Sequence, residues 1–255
     1  MRANSVLAVS LCLLLAGCTT PPAPETTAQT EANVGPNAWT LSPLQSGAAP
    51  LAAPLWQHFR LPGKQATDFS YRPIDGRHAM AAHAEASASM LRQQVHIPAQ
   101  ELGHLRFSWK VPELIAQADM AVREADDSPV RVVLAFEGDR SRFSAQNAML
   151  SELLLTITGE PLPYATLMYV WCNKRPAGSV IINPRTDRIR KLVMESGARK
   201  LNQWLDYERD IRADFEHAFG EPPGALVAVA IMTDSDNTRS VARAWYGPLT
   251  LTAAR

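Results

Sequence analysis

Apolar and polar residues alternate in several short runs along this chain. Over residues 104–111, Leu105, Phe107, Trp109 and Val111 alternate with His104, Arg106, Ser108 and Lys110. A period of two puts one set on each side of an extended backbone, the mark of a half-buried strand. Val130, Val132, Leu134 and Phe136 repeat this over residues 130–137. Residues 165–172 are apolar on both faces, which predicts a central strand. Residues 77–84, 89–97, 179–183, 188–195, 226–233 and 242–251 are further candidate strands, punctuated by Pro, Gly and Asp. Two segments switch to helical spacing. The first is residues 144–157, ending at Gly159. The second is residues 198–219, with Leu201, Trp204, Leu205, Ile211, Phe215 and Phe219 on one face and Gly220 and Pro222-Pro223 as the stop. The expected fold is mostly β: a β-sandwich or jelly-roll-like single domain over residues 55–255 with two inserted helices.

The N-terminal part has a different character. Met1-Arg2 precedes an apolar run from Val6 to Leu14, then Leu15-Ala16-Gly17-Cys18. A short basic start, an apolar core and a small-residue cleavage site read as an export signal over residues 1–17. The stretch ending at Cys18 resembles the lipobox of bacterial lipoproteins. That resemblance implies cleavage before Cys18 and acylation of its sulfur and new amine. An ordinary signal peptide that happens to contain a Cys is the alternative. Thr19, rather than Asp, follows Cys18, which by resemblance to enteric lipoprotein sorting implies the outer membrane, facing the periplasm. Residues 18–54 then carry seven Pro, much Ala and Thr, and only Glu25 and Glu31 as charges. Without a periodic apolar face such a stretch reads as a tether. An arm packed on the domain through Trp39 and Leu41 is the other reading.

Composition narrows the classes of function. Lys and Arg number 25 against 25 Asp and Glu. That balance argues against nucleic acid, which needs a basic face. The expected contact with a lipid bilayer therefore runs through acylated Cys18 rather than through charge. Of three cysteines, Cys12 leaves with the signal and Cys18 is acylated, so Cys172 has no disulfide partner. It lies in an apolar run and reads as a buried, inert thiol.

Motifs for catalysis are missing. There is no Gly-x-Ser-x-Gly elbow, no phosphate-binding glycine loop and no His-Glu-x-x-His helix. His78 and His83 are an odd number of residues apart on an expected strand and so point to opposite faces. Two constellations remain. The aromatic one is Trp109, Tyr169, Trp171, Trp204, Trp245 and Tyr246. Flat rings stack on sugar rings, but Trp109, Trp171 and Trp204 lie on apolar faces and read as core. Trp245-Tyr246 follows a polar loop and reads as exposed. The acidic constellation includes Asp119, Asp126-Asp127, Asp139, and Asp234, Asp236 and Asn237 in the loop 233–238. Oxygen donors converging from loops suit calcium, with Asp139, Asp234 and Asp236 as the candidate ligands. Asp and Asn also favour turns for local reasons, and Arg131, Arg188 and Arg190 offer partners for a structural ion network.

Several blocks taken in order carry a further resemblance. They are Phe107-Ser108-Trp109-Lys110-Val111, Asp126-Asp127-Ser128-Pro129-Val130-Arg131, Phe136-Glu137-Gly138-Asp139, Leu167-Met168-Tyr169-Val170-Trp171, Arg209-Asp210-Ile211-Arg212-Ala213-Asp214-Phe215, Thr233-Asp234-Ser235-Asp236-Asn237-Thr238 and Trp245-Tyr246-Gly247. The set resembles the bacterial family catalogued as domain of unknown function 3047, and implies an exported, sandwich-like domain without assigned catalytic residues. The arrangement is also loosely similar to jelly-roll carbohydrate-binding modules. The leading expectation is a lipid-anchored, non-catalytic binder of a saccharide or envelope glycan, with Asp234, Asp236, Asn237, Trp245 and Tyr246 as the site. An envelope assembly or scaffolding protein with a protein partner, marked by a large flat apolar patch, is the second reading. A hydrolase using paired carboxylates such as Asp234 and Asp139 is the third. The lipobox makes one outcome definite. Cys18→Ala blocks incorporation of a fatty-acid analogue and leaves the precursor uncut; undiminished labelling of the variant excludes lipidation at this residue.

Overall fold

The computed structural model describes residues 56–253. The expected signal, Cys18 and the tether lie outside the described residues. In chain order the strands are β1 (Gln57–Arg60), β2 (Asp68–Ile74), β3 (Arg77–Glu85), β4 (Ala88–Ile97), β5 (Leu102–Lys110), β6 (Ser128–Phe136), β7 (Ala165–Cys172), β8 (Val180–Ile182), β9 (Ile189–Ser196), β10 (Trp204–Asp210), β11 (Leu226–Asp234), β12 (Val241–Tyr246) and β13 (Thr250–Ala253). Helix α1 (Ala145–Thr158) lies between β6 and β7, and α2 (Ile211–Phe219) between β10 and β11. They form a sandwich of two sheets. The larger is seven-stranded in the order β1-β4-β11-β6-β7-β9-β8; the smaller is six-stranded, β10-β5-β12-β3-β2 with β13 beside β5. Every pairing is antiparallel except β7 with β9. The fold is the mostly-β sandwich with two helices that the alternation predicts.

The core between the sheets comes from the inward residues of both. Leu105, Phe107 and Trp109 of β5 meet Val132, Leu134, Phe136, Leu167, Tyr169 and Trp171 of β6 and β7. Phe107 stacks on Tyr169 at 5.4 Å across the sandwich and on Tyr207 at 5.1 Å within its own sheet. All nine residues of β6 and all eight of β7 are buried. For β7 that matches its two-sided apolar pattern. For β6 it exceeds the half-buried strand its alternation predicts, because the larger sheet carries a second apolar layer. Val133, Met168, Val170, Val193, Ala230 and Met232 form a cluster on its outer side, and Met120 is part of it.

Two segments and two strands differ from expectation. Residues 198–219 hold a strand followed by a helix, not one helix. Trp204–Asp210 pairs along its whole length with β5, and the α-helix begins only at Ile211. The Asp210 side chain caps it by accepting from Ala213 N–H at 3.0 Å. Residues 242–251 hold two strands, because Gly247-Pro248 interrupts the run. A Cβ at Gly247 would lie 2.0 Å from the Ser108 hydroxyl, so any larger residue there displaces that side chain. Strands β1 and β2, which the pattern does not predict, are edge strands, and β2 carries Pro73, a residue an edge accommodates.

One outward position of β6 is charged. Arg131 is 2% exposed, and its guanidinium donates to both oxygens of Asp234 (2.8 and 2.9 Å) and to Asp126 Oδ1 and carbonyl (3.1 and 2.9 Å). Lys191 of β9, fully buried, donates to both Asp126 oxygens at 2.6 and 2.7 Å and to the Met120 carbonyl at 2.9 Å. Two cations and two carboxylates thus neutralise one another inside the fold. Burial, with the Arg131 charge beside it, pulls the Lys191 ammonium down to about 8. Burial lifts the Asp234 carboxyl to about 6 against the pull of Arg131, and Asp127 and Asp126 add to the lift. A carboxyl raised on folding stabilises most below its unfolded pKa of about 4, and that contribution is lost as pH rises through about 6. Asp234→Asn deletes this titration. The stability of the wild-type protein relative to the variant therefore falls between about pH 4 and pH 6, as read by urea unfolding. A difference that grows with pH over that window contradicts the assignment.

Candidate functional site

The loop 233–238 is a tied structural turn. Asp234 closes β11, where its Oδ1 also accepts the Ser128 N–H at 3.0 Å. Asp127, 1% exposed, accepts from Asn237 N–H (3.1 Å), Thr238 N–H (2.7 Å) and the Thr238 hydroxyl (2.6 Å). The Asn237 amide donates to the Arg123 carbonyl at 3.1 Å, and Asp236 is paired with Lys64. Carboxylate oxygens of Asp127, Asp234 and Asp236 lie within 4.8 Å of one another. This is the acidic cluster expected for calcium, with Asp127 in place of Asp139. Its oxygens, however, already accept protein donors. Asp139 follows the far end of β6 and caps a turn, accepting from Ser141 N–H (3.0 Å) and hydroxyl (2.6 Å). Asp234 pairs with Ser128 at the other end of that strand, so the two acids are separated by its length, on the order of 25 Å. They cannot serve together as ligands of one ion or as a hydrolytic pair.

Trp245 and Tyr246 part company. Neighbours on a strand face opposite sides, and Tyr246 is fully buried. It is therefore no part of an exposed platform. Its hydroxyl donates to the Met232 carbonyl at 2.6 Å, lies 2.8 Å from the Thr233 hydroxyl and accepts the Arg131 N–H at 3.3 Å. The register of β11 on β6 shifts between Met232 and Asp234, and the tyrosine supplies partners the ladder leaves unmet there.

Trp245 lies on the outer side of the smaller sheet. Lys110 of β5 is the direct partner of Trp245 on one side and of Trp204 on the other. Directly paired residues of antiparallel strands share a face. A row Trp204–Lys110–Trp245 therefore crosses three strands, and Ala81 and Ser70 continue it over β3 and β2. Both indoles are half-buried. Lys110 Nζ lies 5.8 Å from the Trp245 ring centre and the Arg77 guanidinium 5.2 Å from that of Trp204. The Trp204 indole N–H is buried with no hydrogen-bond partner among the described residues.

A cleft of about 620 Å³ adjoins this row. It opens where β12 leaves β5 at Gly247-Pro248, while β3 and β5 run on. Arg77, His78, Arg106, Phe107, Ser108, Asp206, Tyr207, Glu208, Gly247 and Pro248 line it. Arg77 grips Asp206 with two bonds (2.7 and 3.2 Å), Arg106 pairs with Glu208 at 3.0 Å and Lys110 with Asp75 at 2.5 Å. The size is that of a small-ligand site, and flat rings beside a few oriented polar groups are what such a site needs. Trp204, which the apolar spacing assigns to the core, lies instead on the outer face, because β10 resembles a helix face in sequence; the cleft beside it has no local signal. Strict alternation of Trp204, Asp206 and Glu208 with Leu205 and Tyr207 is the signal that could have placed Trp204.

Fold and site together define a two-sheet sandwich with an aromatic and ionic outer face. The chain belongs to the family described as "Protein of unknown function (DUF3047)", whose model matches residues 54–250. No curated protein matches it. Among solved structures it is similar to the xyloglucanase domain of NopAA, a type three effector from Sinorhizobium fredii, in complex with cellobiose. The TM-score is 0.37 at 10% identity, covering 78% of this chain and 93% of that one.

The hydroxyl of Tyr246 gives the turn a test. Tyr246→Phe strands buried groups at the register shift and costs about 1–3 kcal/mol in denaturant unfolding. In thermal melts calcium leaves the wild-type midpoint unchanged, since the oxygens it would need are taken. A calcium-dependent rise that Asp236→Ala removes contradicts this.

Proposed function

We propose that this protein is a lipid-anchored saccharide-binding protein of the bacterial envelope, and that the outer side of the smaller sheet is its binding surface. The observation that carries the reading is the Trp204–Lys110–Trp245 row beside the cleft. Two indoles two strands apart are separated by about 10 Å, which suits separated rings of one glycan chain. Lys110, Arg77 and Arg106 offer donors to hydroxyl and carboxylate groups, while Asp206 and Glu208 offer acceptors. The loop 233–238, with Asp234, Asp236 and Asn237, holds the framework and does not touch the ligand. In this reading acylated Cys18 places the domain at the outer membrane, facing the periplasm, with residues 18–54 as the tether.

Binding to an array of neutral and acidic oligosaccharides, followed by calorimetry on the best binder, tests the surface. Trp204→Ala and Trp245→Ala each weaken binding by about tenfold or more, equivalent to about 1.4 kcal/mol. Asp139→Ala leaves affinity unchanged. Full affinity in both tryptophan variants, with the fold intact by circular dichroism, rejects the site.

A further inference from the structure

Helix α1 buries polar side chains and leaves an aliphatic stripe exposed. Asn147 and Ser151 are its two buried side chains, 3% and 6% exposed, with Leu150 and Leu154 half-buried beside them, while Met149, Leu153 and Ile157, which share one face at helical spacing, are 70%, 53% and 55% exposed. A helix on a sandwich ordinarily does the opposite. The arrangement is held by specific bonds. The Asn147 amide donates to Asp187 at 2.6 Å, its oxygen accepts from the Thr186 hydroxyl at 2.7 Å, and Gln146 donates to the Arg185 carbonyl at 3.0 Å. Ser144 caps the N-terminus and Gly159 the C-terminus, so both ends are satisfied. The helix is thus pinned to the segment between β8 and β9 by its polar side and offers aliphatic residues outward. Glu152 is its single charged residue.

We infer that this face of α1 seats in the surface of a lipid bilayer. The inference rests on the proposed anchor: a chain acylated at Cys18 keeps the domain within a tether's reach of a membrane, on the order of 30–35 Å. An exposed helix face with large aliphatic side chains and almost no charge is what an interfacial helix buries among headgroups and acyl chains. The residues of the face also argue against a protein partner. Protein hot spots are enriched in Trp, Tyr and Arg, and the large exposed side chains of this face are Met149, Leu153 and Ile157. Arg140 and Arg185, both exposed, flank the N-terminal end and are placed to meet lipid phosphates.

The test uses the mature full chain in phosphatidylethanolamine–phosphatidylglycerol vesicles. Cys172 is buried and Cys18 is acylated, so Leu153→Cys accepts an environment-sensitive fluorophore at one position. Gln117→Cys, exposed and remote from α1 in the chain, is the control. With spin-labelled lipid, the Leu153 probe is quenched roughly twofold, as befits a group about 5–10 Å into the boundary, while the Gln117 probe is not. Adding Met149→Asp and Ile157→Asp removes that quenching. Mass spectrometry of the same sample reads acylation, so failure of the anchor is seen apart from failure of the contact. A Leu153 probe that stays unquenched in vesicles overturns the inference whether or not the chain is acylated. So does a spectral shift that appears without lipid and grows with protein concentration, which marks a second copy instead.

Discussion

Arg131 sits in the middle of the larger sheet with nowhere to reach water. A guanidinium there costs several kcal/mol in lost hydration unless carboxylates meet it, so the chain must bring acids to it from two directions. Asp234 comes from the end of β11 and Asp126 from the segment entering β6. Asp126 then draws Lys191 in from β9. One buried cation thereby fixes the relative positions of three strands and the segment before β6. That fixing reaches one residue further. With Asp126 held inward, Asp127 is left at the loop 233–238, where it takes the two amides and the hydroxyl that keep the turn closed.

This geometry explains why the most ligand-like motif in the sequence is structural. Asp234, Asp236 and Asn237 have the composition of a calcium loop, and turn chemistry predicts the same residues. What decides between them is the occupancy of the oxygens, which depends on Arg131, the Ser128 amide and Lys64, each more than a hundred residues away in the chain. No local pattern carries that information. The pairing of Arg131 with these acids was still visible as an option, because a lone Arg inside an apolar run demands a partner.

Other features were legible in proportion to how far local period settled them. Leu105 to Val111, Val130 to Phe136 and the two-sided run of β7 have one reading, and the sandwich follows from them. In β10 and α2, Trp204, Leu205, Ile211, Phe215 and Phe219 satisfy helical spacing as well, and long-range pairing with β5 overrides it for the first part. Trp245-Tyr246 is different in kind. Alternation alone forbids two adjacent strand residues from sharing a surface, so the pair was separable from the sequence. Helix α1 was placed correctly, yet which side it buries was not legible. Counting apolar residues assumes they face the protein, whereas Asn147 and Ser151 do so here because Asp187 and Thr186 receive Asn147.

The same physics separates the two proposed surfaces. The larger sheet has the centre of its outer side filled by a second apolar cluster and the ion network. The smaller sheet is covered on its inner side alone, and its outer side carries the tryptophan row and the cleft. Helix α1 is pinned beside β8, the edge strand of the larger sheet. A bilayer meeting α1 therefore approaches at the edge of the larger sheet, whereas the tryptophans lie on the smaller one. Anchoring and glycan binding would then use different sheets of one sandwich.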